Sequence, residues 1–206
     1  MKKSLKNVVC LMALMAMAAP SFATIVGSAH DFSGAGWNTT TEICNVCHAP
    51  HNNKTAIAGA PMWNHEETAA TFTLYTSSTF EASDQGQPSG TSKLCLSCHD
   101  GTVNLDAFGT ETTGTTAITG TANLGTNLST SHPISFTYDT ALATADGELF
   151  DPATASSGLG GTIAADMLFS GKLECASCHD VHDDTNGSFL IMSNDGSDLC
   201  MTCHDK

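Results

Sequence analysis

The 206 residues carry seven Lys plus Arg against 21 Asp plus Glu, nine Cys, nine His and only 6% aromatics. A net charge of −14 without any basic run argues against nucleic acid or an anionic membrane surface as a partner, because both recognise clustered Lys and Arg. Gly, Ser, Thr and Asn abound while large apolar residues are sparse, so a core of Leu and Phe alone would be thin.

At the N-terminus, Lys2, Lys3 and Lys6 precede an apolar run from Val8 to Ala19, and Pro20-Ser21-Phe22-Ala23 ends on small residues. This is the layout of a removable export leader spanning residues 1–23. The twelve-residue run is short of the ~20 that a membrane-spanning helix needs. Cys10 follows Val9 rather than a small residue, which argues against a lipid anchor. Residues 24–206 then read as a single domain with four Lys against 21 acids, or −17, and eight Cys. Exported thiols meet oxidising conditions, so each of the eight needs a covalent fate.

Along the mature chain, His30 comes first in Gly27-Ser28-Ala29-His30-Asp31, followed by Cys44-Asn-Val-Cys47-His48 with His51 three residues on. His65 closes Pro61-Met62-Trp63-Asn64-His65. The second motif is Cys95-Leu-Ser-Cys98-His99. Ser92 reads as an N-cap for a helix over 93–99, and Asp100-Gly101 as its stop. Residues 102–170 form an insertion without Cys, rich in Thr, Gly and Ala, and within it the nearly low-complexity stretch Thr110 to Thr130 reads as hairpins or surface loops with a disordered spacer as the alternative. Within it His132 precedes Pro133, which favours an extended backbone. The third motif, Cys175-Ala-Ser-Cys178-His179, is followed by His182. The fourth, Cys200-Met-Thr-Cys203-His204, follows Ser197 as a second N-cap. The motifs start 51, 80 and 25 residues apart, which is no regular repeat.

C-x-x-C-H is the attachment sequence of c-type haem. Two Cys three apart lie on one face of a helical turn, where both sulfurs reach one porphyrin edge and the next residue rises to the iron. His makes up nine of 206 residues, so four Cys pairs all followed by His would arise by chance about 4 times in a million. Zinc ribbons need no such His, and thioredoxin-like C-x-x-C sites occur singly near a βαβ pattern. Four haems among these residues would themselves form the core, with turns and short helices around them. His48, His99, His179 and His204 fill one axial position each, leaving His30, His51, His65, His132 and His182 for the second, with either His30 or His65 to spare. His51 and His182 sit too close to their own motifs to wrap round the porphyrin, so each is expected to serve a neighbouring haem. Met62, Met167 and Met192 are rival ligands, and Asp183 to Gly187 falls short of a calcium loop.

The segments Gly27 to Asp31, Cys44 to His51, Pro61 to His65, Leu94 to Thr102, Leu128 to Pro133, Cys175 to His182 and Leu199 to His204 resemble exported multihaem cytochromes of the doubled C-x-x-C-H class. Within that class the chain is most similar to tetrahaem surface cytochromes of metal-reducing bacteria that assemble into extracellular filaments. The resemblance implies a loop-rich multihaem cytochrome c fold with few short helices, minor β-hairpins and haems as the core. It implies thioethers at Cys44, Cys47, Cys95, Cys98, Cys175, Cys178, Cys200 and Cys203, proximal ligands at the four motif His, and distal ligands among the remaining His. One distal His would come from the neighbouring protomer, with His30 the candidate because it lies near the free N-terminus. The implied role is electron transfer at the cell surface, with identical subunits, other cytochromes and external acceptors such as metal oxides as partners. A soluble periplasmic shuttle is the alternative. A haem enzyme is disfavoured, because it needs an open iron and every motif here ends in His.

Overall fold

The structure, a computed structural model, describes residues 25–51, 57, 60 and 62–206. The expected leader 1–23 and Pro61 lie outside the described residues. Regular structure is short: helices α1 (Gly90–His99), α2 (Thr140–Asp146), α3 (Ile163–Asp166) and α4 (Asp198–Cys203), and strands β1 (Phe136–Thr137) and β2 (Lys172–Leu173). Single 3-10 turns occur at Phe32–Gly34, Cys44–Val46, Gly120–Ala122, Cys175–Ser177 and Asp195–Ser197. Among the described residues, no helix is long and apolar enough to cross a membrane.

Helix α1 begins three residues earlier than its sequence suggests. Ser89, not Ser92, flanks its start, and Gly90 turns the chain in at φ 48°. Ser92 is buried inside the helix, and its Oγ accepts a hydrogen bond from the Cys175 amide at 2.9 Å, tying the second motif to the third. A serine that finds a tertiary partner need not cap its own helix. The stop is where the sequence puts it, with Asp100 at the C-cap and Gly101 at φ 72°. Ser197 flanks α4 where the sequence puts it, but at φ 76° its side chain makes no capping hydrogen bond.

The segment 102–170 is more than loops. Asp139 caps α2 by accepting from the Leu142 amide at 2.9 Å, Gly147 ends it at φ 74°, and Thr162 caps α3. Strand β1 pairs antiparallel with β2, Phe136 opposite Leu173, with both helices lying between them in the chain. The pair is therefore a long-range closure and not the hairpin expected. Phe136, Tyr138, Ala143, Ile163 and Met167 from this segment pack with Leu173 and Leu199 into one apolar cluster. That cluster backs the fourth motif through Leu199, while Phe72, Leu96 and Leu128 form a second one behind α1. Met167 is buried within the first cluster, and Met62 is exposed.

Candidate haem-binding site

Each motif makes a tight turn that gathers its three functional side chains. The amide of His48 donates to Cys44 O at 2.8 Å, that of His179 to Cys175 O at 3.1 Å and that of His204 to Cys200 O at 3.0 Å, and the second motif ends α1. A strap of extended chain flanks three of the motifs. Asn64 N donates to Cys47 O at 2.9 Å, Ile191 N to Cys178 O at 3.1 Å and Phe150 N to Cys203 O at 2.9 Å, each next to a β-bridge to the motif His. The second motif is held instead by the Thr-rich segment, where Leu124 N donates to His99 O at 2.7 Å.

The imidazoles are oriented through Nδ1. His99 Nδ1 lies 2.8 Å from Ala122 O, His179 Nδ1 2.9 Å from Ser188 O and His132 Nδ1 2.8 Å from Pro133 O. His182 Nδ1 lies 3.3 Å from Asp180 Oδ1. These oxygens can only accept, so the N–H sits on Nδ1 and Nε2 keeps its lone pair for a metal.

Three motif His face a second imidazole. His48 lies opposite His182 with ring centroids 6.1 Å apart and planes inclined by 14°. His99 lies opposite His30 at 5.9 Å and 82°, and His204 opposite His132 at 6.3 Å and 72°. Two metal–nitrogen bonds of about 2 Å each, with about 1.1 Å from nitrogen to ring centre on either side, give a separation of about 6 Å. The observed separations match that length. Burial, reinforced by the nearby His99, lowers the pKa of His30 to about 4, which keeps that ring neutral as a ligand must be.

The remaining candidates differ. His65 is buried, with Nδ1 2.9 Å from Glu66 O, Nε2 3.0 Å from Asn104 O and the ring against Cys98 Sγ. Its Nε2 is turned to a backbone carbonyl, unlike those of His99, His132, His179 and His182. His51 and His179 are both exposed, and among the described residues no imidazole ring lies opposite either.

None of the eight motif cysteines is joined to another by a disulfide. Burial pushes Cys47 and Cys178 up to about 11 and Cys98 up to about 12. An apolar setting around these three sulfurs suits the uncharged thioether of c-type haem. Among the described residues no three His, Cys, Asp or Glu converge as a metal cluster. Asp183 and Asp184 instead accept from the amides of Thr185 and Phe189 in a turn.

Residues 168–206, which hold the third and fourth motifs, match the family described as the doubled CXXCH motif. No curated protein matches the chain. The doubled motif is a covalent c-type haem site. Its chemistry is haem-based electron transfer. The motifs were plain in the sequence. The Nδ1 acceptors and the role of residues 120–124 behind His99 were not, because backbone carbonyls leave no mark on residue identity.

Proposed function

We propose that the chain passes electrons along four c-type haems, each iron closed by two imidazoles, and that exported copies join into an extracellular filament delivering electrons to external acceptors. Three facing imidazole pairs at 5.9–6.3 Å carry this reading. His48 with His182, His99 with His30 and His204 with His132 are the ligand pairs, and His65 is the spare. Haem iron supplies one-electron exchange between ferric and ferrous states. The chain's part is to fix both axial imidazoles, so that no substrate competes for the metal, and to exclude water around the thioethers.

The ring of His30 lies 5.9 Å from that of His99 in its own chain, which favours His51 over His30 as the ligand exchanged between protomers. That role falls to His51, which is exposed, as is the unmatched His179. A His51 that closes the neighbouring copy's His179 site makes each protomer both donor and acceptor, a head-to-tail contact that propagates. The mature charge of −17, with further acid from the haem propionates, opposes non-specific association and favours a specific bond as the link. The test is His51→Ala, followed by electron microscopy of the cell-surface fraction and electron paramagnetic resonance. The variant keeps its haems, gains one high-spin iron and forms no filaments. Filaments that persist would remove His51 as the link. A wild type that stays monomeric would favour the periplasmic shuttle.

A further inference from the structure

The three imidazole pairs are built differently, and the differences all bear on electron affinity. His48 and His182 are nearly parallel at 14°, while His99 and His30 cross at 82° and His204 and His132 at 72°. Parallel imidazoles donate into the same iron d orbital, which splits the two orbitals available to the ferric hole and stabilises the ferric state. Perpendicular imidazoles act on different orbitals and leave them nearly degenerate. The first arrangement gives a rhombic low-spin spectrum, the second a highly anisotropic one.

The Nδ1 partners run in the same direction. His182 Nδ1 faces the Asp180 carboxylate at 3.3 Å, and His182 is solvent-exposed. Sharing that proton with an anion gives the ring imidazolate character, which strengthens donation to iron and favours ferric. Among the described residues His30 Nδ1 is buried with no hydrogen-bond partner, and Phe189 stacks on the ring at 4.5 Å. An N–H with no acceptor keeps its proton wholly, and the ring donates weakly in a site where the extra charge of ferric iron is poorly solvated. Opposite it, His99 Nδ1 meets only a neutral carbonyl, that of Ala122.

We infer that the haem held by His48 and His182 is the low-potential member of these three, with Asp180 as the positioning residue that keeps it low, and that the haem held by His99 and His30 is the high-potential member. This rests on the bis-His reading above. Among these three, electrons entering at equilibrium therefore gather first beside His99 and last beside His48.

A reductive titration of the haem-loaded protein, followed by electron paramagnetic resonance, tests the order. The expected result is a rhombic low-spin signal that survives to the lowest potential, while a highly anisotropic signal disappears first. His182→Met removes that rhombic signal alone and so assigns it. Asp180→Asn, which retains an acceptor oxygen but no charge, keeps the rhombic shape and raises its midpoint, leaving the highly anisotropic signals where they were. The inference is overturned if the signal lost in His182→Met is highly anisotropic, if it is reduced first, or if its midpoint is unmoved in Asp180→Asn. An oxidised protein without low-spin signals would instead overturn the bis-His reading itself.

Discussion

Gly101→Ala probes how the Thr-rich segment supports the second motif. Gly101 sits at φ 72°, and a Cβ there would lie 2.7 Å from Asn123 Nδ2 and 2.8 Å from Asn123 Oδ1. Gly109 has a similar φ of 65° but open space around the same position, which makes Gly109→Ala the matched control. Both substitutions cost about 1–2 kcal/mol for placing a Cβ in the left-handed region. Gly101→Ala must also displace the Asn123 side chain, whose Oδ1 accepts from Gly125 N at 3.0 Å, and losing that bond adds about 1 kcal/mol. For a chain of this size about 1 kcal/mol is about 2–4 °C in Tm, so Gly101→Ala melts lower than Gly109→Ala by that margin. Ala122, next to Asn123, holds His99 Nδ1, so only Gly101→Ala also shifts the spectrum of the His99 haem. Thermal melts of the haem-loaded proteins, followed by haem absorbance, decide it. Equal melting of the two variants, with both haem spectra unchanged, would refute a supporting role for the 120–124 segment.

Glu174 is buried, accepting from Ser135 Oγ at 2.9 Å and Ser89 Oγ at 3.2 Å, so Glu174→Ala strands both hydroxyls and lowers stability by about 2–3 kcal/mol in denaturant titrations. The Tyr138 hydroxyl donates to Phe150 O at 2.5 Å beside the fourth motif, and Tyr138→Phe costs about 1 kcal/mol by the same assay with the haem count unchanged. The amide of Thr113, with its hydroxyl and the Gly114 amide, lowers the Glu111 carboxyl from 4.5 to about 2. A depressed carboxyl contributes stability above its unfolded pKa and loses it as pH falls through the folded one. The turn at 111–114 should therefore loosen between pH 4.5 and about 2, seen as faster amide exchange at Thr113 and Gly114.

The haem motifs were legible because covalent attachment is a local demand, satisfied within one turn of chain. The end of α1 at Asp100-Gly101 and the flank of α4 at Ser197 were legible for the same reason. The start of α1 was not, because Ser92 answers the Cys175 amide far along the sequence rather than its own helix. The 102–170 segment hid its structure because its apolar residues are spread thinly and meet only when β1 closes on β2. Pairing among the histidines is likewise a matter of long-range contact. Chain length alone argues that His182 does not serve the motif of His179, and the contact of its ring with that of His48, 6.1 Å away, is long-range in sequence. Nothing local distinguished His30 from His65, since one turns to an imidazole and the other to the carbonyl of Asn104.

Intact mass of the protein under denaturing conditions tests the central claim most directly. Covalent attachment through eight cysteines predicts the mass of the mature chain plus four haems, retained after unfolding and absent from a variant only in units of one haem per motif disrupted. A mass equal to the bare chain, with or without zinc or disulfides, would contradict the account.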